Sequence, residues 1–306
     1  MKKTLIFTLL LIAGITCFGQ KVTLALNLKQ GNTYYMNTSA KLLVSELING
    51  QQQDINTTIT VKVAHKVVAM TDSTYEMEIR YERVAMKMTA GGQNMDFDSE
   101  KKDKSIFTTI MSGMVNRPFS IVLTKTGKVR SINNIENLYS HMFDSIPTIT
   151  DAQKAQFKGQ MEKSFGANTF KGNMEEAFAV FPDIKVAKND KWVVNTKLES
   201  VVSAITTTTY VLQDVTGDTY QVHGDGLIRS AGSAEYKEMN SFPMKFTNVT
   251  GNATTDLKLD KTTGWITEAR INKVVKGTID IKDNPKVPGG MVFPITVTGD
   301  SVISDK

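Results

Sequence analysis

The sequence predicts an α+β fold, in which a predominantly antiparallel and strongly curved β-sheet carries a mid-chain helical segment on one face. Apolar residues recur with period two from Val22 to about Asp103, and again from Trp192 onward. Between Ile106 and Phe181 the apolar period is that of a helix. The alternation within the strands predicts a sheet with one buried side and one wet side.

The N-terminus predicts a secretory signal peptide. Lys2 and Lys3 form a basic start, and residues 5–15 are an apolar run in which Thr8 is the one polar side chain. That run is shorter than the ~20 apolar residues that a membrane-spanning helix needs. We therefore expect an exported protein with no transmembrane segment in the mature chain, located in the periplasm or at the cell surface of a Gram-negative bacterium.

Cleavage is expected after Gly19. Signal peptidase needs small side chains one and three residues before the cut, and Gly19 and Cys17 stand there. The mature chain would then begin at Gln20. The alternative is lipidation of Cys17, which the bulky Ile15 and Thr16 disfavour, because a lipid-attachment sequence carries a small residue directly before its cysteine.

The cysteine and charge counts argue against stabilising disulfides and against nucleic-acid binding. Cys17 is the single cysteine, so no disulfide is expected to stabilise the mature chain. The formal net charge is +5, and removing Lys2 and Lys3 lowers it to +3 (5 − 2). Because this excess is small and scattered, the sequence does not predict nucleic-acid binding.

The first β-rich stretch contains two local signals. At residues 75–82 the apolar side chains share one face, but after Arg83 the phase slips by one residue. A β-bulge between Glu82 and Val84 would restore the register. Gly127 closes a short loop between two alternating runs, which predicts a β-hairpin.

The helical segment is predicted in four pieces. Residues 106–114 and 135–143 would form two short helices. Thr150 and Gln153 resemble a capping box, which predicts the start of a longer helix, and Pro182 is expected to stop the last one.

Six apolar residues of the two longer helices form stripes at helical spacing that would face the sheet. They are candidate ligand-facing residues, because an apolar surface covered by helices can hold lipid-like ligands. The alternative is that they fill an ordinary core, as methionine commonly does. The six residues are Phe157, Met161, Phe165, Phe170, Met174 and Phe178.

The second β-rich stretch repeats three short strings of the first stretch in the same order. Its predicted strands are 192–198, 205–212, 220–222, 256–260, 265–271, 278–281 and 295–298. The paired strings are 31–35 with 189–193, 71–75 with 216–220, and 123–127 with 259–264. They predict an internal duplication of a half-barrel, while shared turn chemistry without duplication is the alternative.

The expected domain organisation is simple. Residues 1–19 would be removed as the signal peptide, and residues 20–306 would form a single β-rich domain, because no linker separates its halves. Within it, the two copies of the repeat would be 20–135 and 183–306, with the helical segment 135–181 between them.

The sequence contains no recognisable catalytic, metal-binding or nucleotide-binding motif, so we expect a protein that is not an enzyme and has no cofactor. His65, His141 and His223 are widely spaced and are expected to be solvated or packed singly. Glu175 and Glu176 are neighbours that point about 100° apart on a helix, so they are expected on a solvated face rather than around one metal ion.

Three Asp-Ser strings are similar to an acceptor pattern for O-glycosylation in exported bacterial proteins. The pattern is short and also arises by chance, so it marks candidate sites rather than a class of protein. The candidate serines are Ser73, Ser145 and Ser301.

Four segments together resemble a bacterial family of exported proteins known as domain of unknown function 6263. The segments are residues 28–35, 57–61, 75–88 and 119–129. The resemblance implies export and a β-rich fold over most of the mature chain. It implies no activity and brings no site residues.

Two functions are compatible with these observations. The first is a non-catalytic binding or carrier protein of the cell envelope, whose partner is a lipid-like or other hydrophobic ligand. The alternative is a structural or adhesive surface protein that binds an envelope protein through threonine-rich strands such as residues 206–209.

The processing of the N-terminus gives a direct test. We expect the intact mass of the mature protein to match a chain that begins at Gln20, with or without cyclisation of that glutamine. A diacylglyceryl group on Cys17 would instead establish the lipoprotein alternative, and glycan-sized mass increments would support the serine sites.

Overall fold

The computed structural model describes residues 21–101, 105–140, 142–143, 146, 150–199, 203–232, 234–239 and 242–306. The strands in these ranges are β1 Thr33–Ile48, β2 Gln51–Met70, β3 Thr74–Ala90, β4 Gln93–Asp98, β5 Phe119–Thr124, β6 Val129–Asn133, β7 Lys191–Glu199, β8 Ser203–Val215, β9 Thr219–Ser230, β10 Lys237–Met239, β11 Phe242–Asp260, β12 Ile266–Ile281 and β13 Met291–Ser304. The helices are α1 Ile106–Ser112, α2 Asn137–Ser140, α3 Asp151–Phe165 and α4 Ala167–Phe178. The predictions for Cys17, Gly19, Gln20, His141 and Ser145 concern residues outside the described ranges.

The strands of the described chain form one antiparallel sheet, which confirms that part of the predicted fold class. The sheet order is β6-β5-β3-β2-β1-β13-β12-β11-β9-β8-β7, with β4 beside β3 and β10 beside β11. The first and last strands of the chain, β1 and β13, are therefore neighbours in the middle of the sheet. The sheet is not closed, because its path starts at β6 and ends at β7.

The two local signals in the first β-rich stretch are both confirmed. Lys62 lies opposite Arg83 and Val63 lies opposite Tyr81, so one extra residue, Glu82, is inserted into β3 as a bulge. Gly127 has a φ of 80° in the turn between β5 and β6, which a glycine adopts without strain.

The strands of the second half are longer than predicted. The predicted strand 256–260 is the end of β11, which has 19 residues, and the predicted strands 265–271 and 278–281 belong to the single strand β12. Lys273 and Gly277 interrupt the apolar alternation in β12, but this strand pairs with β11 and β13 on both sides and stays continuous. Backbone pairing therefore extends the strands beyond their regular sequence pattern.

The capping box of the third helix is confirmed. The Thr150 side chain accepts a hydrogen bond from the backbone N–H of Gln153 at 3.3 Å, and the Gln153 side chain accepts one from the backbone N–H of Thr150 at 3.0 Å. Helix α3 ends at Phe165, and Gly166 is its C-cap. Helix α4 ends at Phe178 rather than at residue 181, because the chain leaves the helical conformation at Ala179 (ψ 60°).

Helix α4 contacts both edge strands of the sheet, β6 and β7. The Glu175 side chain accepts a hydrogen bond from the backbone N–H of Val129 on β6 at 2.9 Å. On the other side, a Cβ on Gly172 would lie only 2.9 Å from the Leu198 side chain of β7, so the helix approaches this strand closely. A Cβ on Gly127 would collide with the carbonyl oxygen of Phe178, so the β5–β6 hairpin is also in direct contact with the end of the helix.

The N-terminal segment at residues 22–28 connects the two halves of the sheet. The backbone N–H of Leu26 donates to Lys125 O in the β5–β6 hairpin at 2.8 Å, and that of Asn27 donates to Thr263 O in the β11–β12 hairpin at 2.7 Å. Leu24, Leu26 and Leu28 are at most 2% exposed and belong to the main core. The segment thus fills the core while its backbone bonds to both hairpins.

One pair of the matched sequence strings, 71–75 and 216–220, occupies corresponding turns. Between β2 and β3, the backbone N–H of Thr74 donates to Thr71 Oγ1 at 3.1 Å, and the two hydroxyls are 2.8 Å apart. Between β8 and β9, the backbone N–H of Thr219 donates to Thr216 Oγ1 at 3.0 Å, and the two hydroxyls are 3.0 Å apart. The two turns share one hydrogen-bond pattern, while the duplication itself stays a prediction.

Tyr75 offers a test of how the N-terminal segment is held. Its hydroxyl donates to Leu26 O at 3.0 Å and accepts from the backbone N–H of Leu28 at 3.1 Å, both in the buried core. We expect Tyr75→Phe to lower the free energy of unfolding in urea by about 3 kcal/mol, because each buried group left unpaired costs about 1–3 kcal/mol. Tyr34→Phe is the matched control, since the Tyr34 hydroxyl accepts a solvent-exposed hydrogen bond from the backbone N–H of Lys29. An equal loss of unfolding free energy in both variants would contradict the role of Tyr75 in holding the N-terminal segment.

Candidate functional site

The six candidate ligand-facing residues of α3 and α4 belong to the main core or pack against it. Phe178 is 0% exposed, and Met161, Phe170 and Met174 are 8% exposed or less. Phe157 and Phe165 are half-buried and pack against the core cluster. The α4 stripe therefore faces the sheet as predicted, whereas α3 packs on α4 and α2. Both stripes present little surface to anything outside the core.

Aromatic contacts show what these side chains pack against. The Phe170 ring meets the Phe119 ring of β5 edge-on, with centroids 4.9 Å apart. The Phe178 ring lies 4.8 Å from the ring of Trp265, the residue directly before β12. Since β5 and β12 belong to different halves of the sheet, these contacts join both halves to the helical layer.

His65 lies at the centre of this aromatic packing. It is 1% exposed, and its ring centroid is 5.3 Å from Trp265 and 6.1 Å from Phe178. Burial lowers the pKa of His65 to about 4, and hydrogen bonding to the backbone at Tyr34 and Val63 offsets this only in part. Its Nδ1 atom has no hydrogen-bond partner within the described residues. The histidine is packed singly, as predicted, and is neutral at physiological pH.

A second apolar region lies on the helix side of the sheet, beyond the main core. We call it the distal face. It consists of half-buried side chains that belong to neither hydrophobic cluster, namely Leu42, Val44, Ile55, Ile59, Met88, Ile295 and Val297. Val44 lies directly between Ile55 of β2 and Val297 of β13, so the residues form one continuous surface across these strands.

The strand register places the distal face on the same side as the core. Ile59 and His65 are separated by an even number of residues on β2, and so are Leu42 and Tyr34 on β1. The side chains at both positions of each strand therefore project to the helix side. The distal face continues the core surface along the strands.

Few charges stand on this side of the six strands that frame the distal face. On the described residues of β1, β2, β3, β11, β12 and β13, the helix side carries one carboxylate, Glu46, and one cation, Lys273. Desolvation by burial raises the pKa of Glu46 above its ordinary value. Lys273 pairs with Glu176 of α4 at 2.6 Å.

The two glutamates of α4 correct one sequence expectation. Glu175 and Glu176 were expected on a solvated face, but both are half-buried. Glu175 binds the backbone N–H of Val129, and Glu176 binds Lys273. Their divergence on the helix lets them reach two different strands, which the sequence alone did not indicate.

His223 also departs from expectation, because it is not packed singly. Its Nδ1 lies 2.7 Å from Asp256 Oδ1, and its Nε2 lies 3.4 Å from Asp225 Oδ1, on the polar side of the sheet. The bond to Asp256 raises the pKa of His223 above its ordinary value. An adjoining polar groove of about 370 Å³ is lined by residues that include Gln221, Asp256, Lys258, Glu268 and Arg270.

The two described glycosylation candidates differ in access. Ser73 is exposed in the turn between β2 and β3. Ser301 lies on the helix side of β13, between Ala40 of β1 and Ile271 of β12, and is half-buried there. Ser73 is therefore open to a modifying enzyme, while Ser301 is shielded by its neighbours.

Neither a metal-binding cluster nor a membrane-spanning helix occurs among the described residues. No group of three or more histidine, cysteine, aspartate or glutamate side chains there is placed to hold a metal ion. None of the described helices combines the length and apolar character needed to cross a bilayer.

Comparison with known proteins places the chain in a family. The model of a family of unknown function, DUF6263, matches residues 72–266. The chain belongs to the DUF6263 family. This confirms the resemblance seen in the sequence, and none of the curated proteins compared with the chain matches it.

Two solved structures match this DUF6263 chain over most of its length. One, described as lipid–protein interactions in lipovitellin, is 10% identical with a TM-score of 0.50, and the match covers 92% of this chain and 25% of that one. The other, an outer membrane channel from Pseudomonas putida F1, is 7% identical with a TM-score of 0.27, and the match covers 91% of this chain and 97% of that one. This chain therefore spans about a quarter of the lipovitellin chain, and the likeness concerns the fold alone.

The buried histidine gives a prediction for pH dependence. Because the pKa of His65 falls from 6.5 to about 4 on folding, its contribution to stability is complete above pH 6.5 and is lost as the pH falls toward 4. We expect the stability difference between the wild type and His65→Leu to change by about 3 kcal/mol between pH 7 and pH 4. Urea unfolding at several pH values measures it, and equal pH slopes for the two proteins would contradict the buried neutral state.

Proposed function

We propose that the chain is an exported, non-catalytic protein of the cell envelope that carries a hydrophobic ligand on the distal face. The observation that carries the proposal is the distal face itself, whose apolar side chains are only half-buried and lie outside the main core. Contiguous apolar surface of this kind commonly marks a binding site. The signal-peptide pattern at the N-terminus supports export.

The contacts of α4 support a curved sheet around this surface. Eleven strands lie on the sheet path from β6 to β7, and a flat sheet of that many strands would place its edges about 48 Å apart at about 4.8 Å per strand. Helix α4 has 12 residues and is about 18 Å long, yet it contacts both edges. We infer that the sheet curves around the helical layer, so that the distal face lines a concavity.

The chemistry of the distal face favours an apolar ligand. Ligand sites for apolar molecules are lined mainly by hydrophobic side chains with a few placed polar groups. Glu46 is the one carboxylate on this side of the framing strands within the described chain, and its raised pKa reflects the poorly hydrated surroundings. The fold likeness to lipovitellin, whose solved structure is described for its lipid–protein interactions, agrees with this choice.

An apolar fluorescent probe, phenylnaphthylamine, tests the proposal. Ile59 and Thr60 are adjacent on β2, are both half-buried and face opposite sides of the sheet. We expect Ile59→Asp to weaken probe binding at least about tenfold, because an unpaired carboxylate is costly in an apolar site. The matched control Thr60→Asp is expected to bind like the wild type.

Two results would contradict the carrier proposal. One is the absence of saturable probe binding to the wild-type protein. The other is an equal effect of the two aspartate variants at unchanged stability, since the distal face would then have no special role. Native mass spectrometry after gentle purification is a second measurement, in which a co-purified apolar ligand is expected.

An uncharged row on the outer side of the sheet favours the adhesive alternative. A row of uncharged side chains crosses the outer side of the sheet, with Leu227 at 52% and Val274 at 40% exposed. The row contains Leu227, Asn252, Val274, Thr298, Leu43 and Asn56. An envelope partner that binds the wild type but not Leu227→Asp would favour adhesion. If the partner binds both proteins equally well, this row is excluded as the adhesive surface.

A further inference from the structure

The ion pair between Lys273 and Glu176 stands at the boundary between the core and the distal face. On β12, Ile271 belongs to the main core, while Val275 packs against the separate small cluster beyond it. Lys273 lies between these two positions and faces the same side. Its side chain is 23% exposed, and that of Glu176 is 34% exposed.

The neighbours of Lys273 on the sheet are small. The register places Ala253 of β11 on one side and Gly299 of β13 on the other. A Cβ on Gly299 would lie 3.2 Å from Lys273 Cγ, so the lysine side chain passes over the glycine. The space over Gly299 is therefore shared by the lysine side chain and by Leu42 of β1, whose Cδ2 is also 3.2 Å from that position.

We propose that the ligand is an anionic amphiphile, whose acidic head group binds Lys273 and whose apolar tail lies along the distal face. The inference rests on the proposed carrier function and names its ligand class. Lys273 is the one cation on the helix side of β1, β2, β3, β11, β12 and β13 in the described chain, so it is the group there that complements an acid. A carboxylate or phosphate head replaces Glu176 as its ionic partner.

The geometry suits a head at Lys273 and a tail that extends away from the core. Lys273 lies opposite Gly299, which lies opposite Leu42 of β1. Glu46 follows Leu42 by four residues, about 13 Å farther along the strand at about 3.3 Å per residue. An acidic head at Lys273 is thus separated from Glu46, the one carboxylate on this side of the framing strands in the described chain. The apolar side chains of Val44 and Val297 lie between the two positions.

The test compares three ligands that share a dodecyl chain: dodecanoate, dodecyl phosphate and dodecanol. Each is titrated against bound phenylnaphthylamine. The wild type is expected to bind at least one of the two acids about tenfold or more tightly than the alcohol, and the preferred acid identifies the head group. Lys273→Met should abolish this preference while leaving the affinity for dodecanol unchanged.

Further variants separate ligand binding from a structural role. Glu176→Gln is expected to strengthen binding of the preferred acid several-fold, because it removes the competing carboxylate. Lys273→Arg keeps the cation and should retain the preference, and Lys276→Met on the opposite face of β12 is the matched control.

Equal affinities of the wild type for the acids and the alcohol would overturn the assignment of an anionic ligand. Loss of binding of all three ligands in Lys273→Met would also overturn it. In the first case bound dodecanol would leave the carrier function standing. Failure of the probe and of every dodecyl ligand to bind the wild type would instead overturn the proposed function itself.

Discussion

The architecture depends on one helix that contacts both edges of an open sheet. Edge strands present unpaired backbone groups, which proteins commonly cover. Helix α4 contacts β6 and β7 together, and Glu175 accepts the backbone hydrogen bond of Val129 on β6. The side of the sheet that the helix covers becomes the main core, into which Phe170 and Phe178 project.

The N-terminal segment completes this arrangement by bonding to two hairpins of the sheet. Leu24, Leu26 and Leu28 fill the core between the two hairpins whose backbones bind the segment. If the signal peptide is cleaved after Gly19, these leucines follow the new N-terminus by only a few residues. The core would then be completed by the part of the sequence closest to the predicted cleavage site.

Local sequence signals predicted local structure well. The phase slip after Arg83 predicted the bulge, and Thr150 and Gln153 predicted the start of α3, because each depends on neighbouring residues alone. The length of β12 could not be predicted in the same way. Lys273 and Gly277 interrupt its pattern, and only pairing with β11 and β13, which are distant in sequence, keeps it a strand.

The candidate site was predicted only in part, for a related reason. The stripe of α4 correctly indicated side chains that face the sheet, whereas α3 packs on α4 and α2. A stripe also does not reveal how completely the sheet covers it. Phe178 and Met174 are 0% and 4% exposed, whereas Leu42 and Val44 lie on the sheet beyond the core and stay half-buried. Alternation assigns a residue to a face of the sheet, and coverage of that face depends on the position of the helices.

The strands themselves allow the distal face to remain uncovered. A strand of 20 residues such as β2 extends about 66 Å at about 3.3 Å per residue, well beyond α4 at about 18 Å. Beyond the helices, β2 is held in place by backbone hydrogen bonds to β1 and β3 on both sides rather than by a core. The apolar side chains there contribute less to folding than those at His65 and Phe178. Their substitution is therefore less constrained by stability.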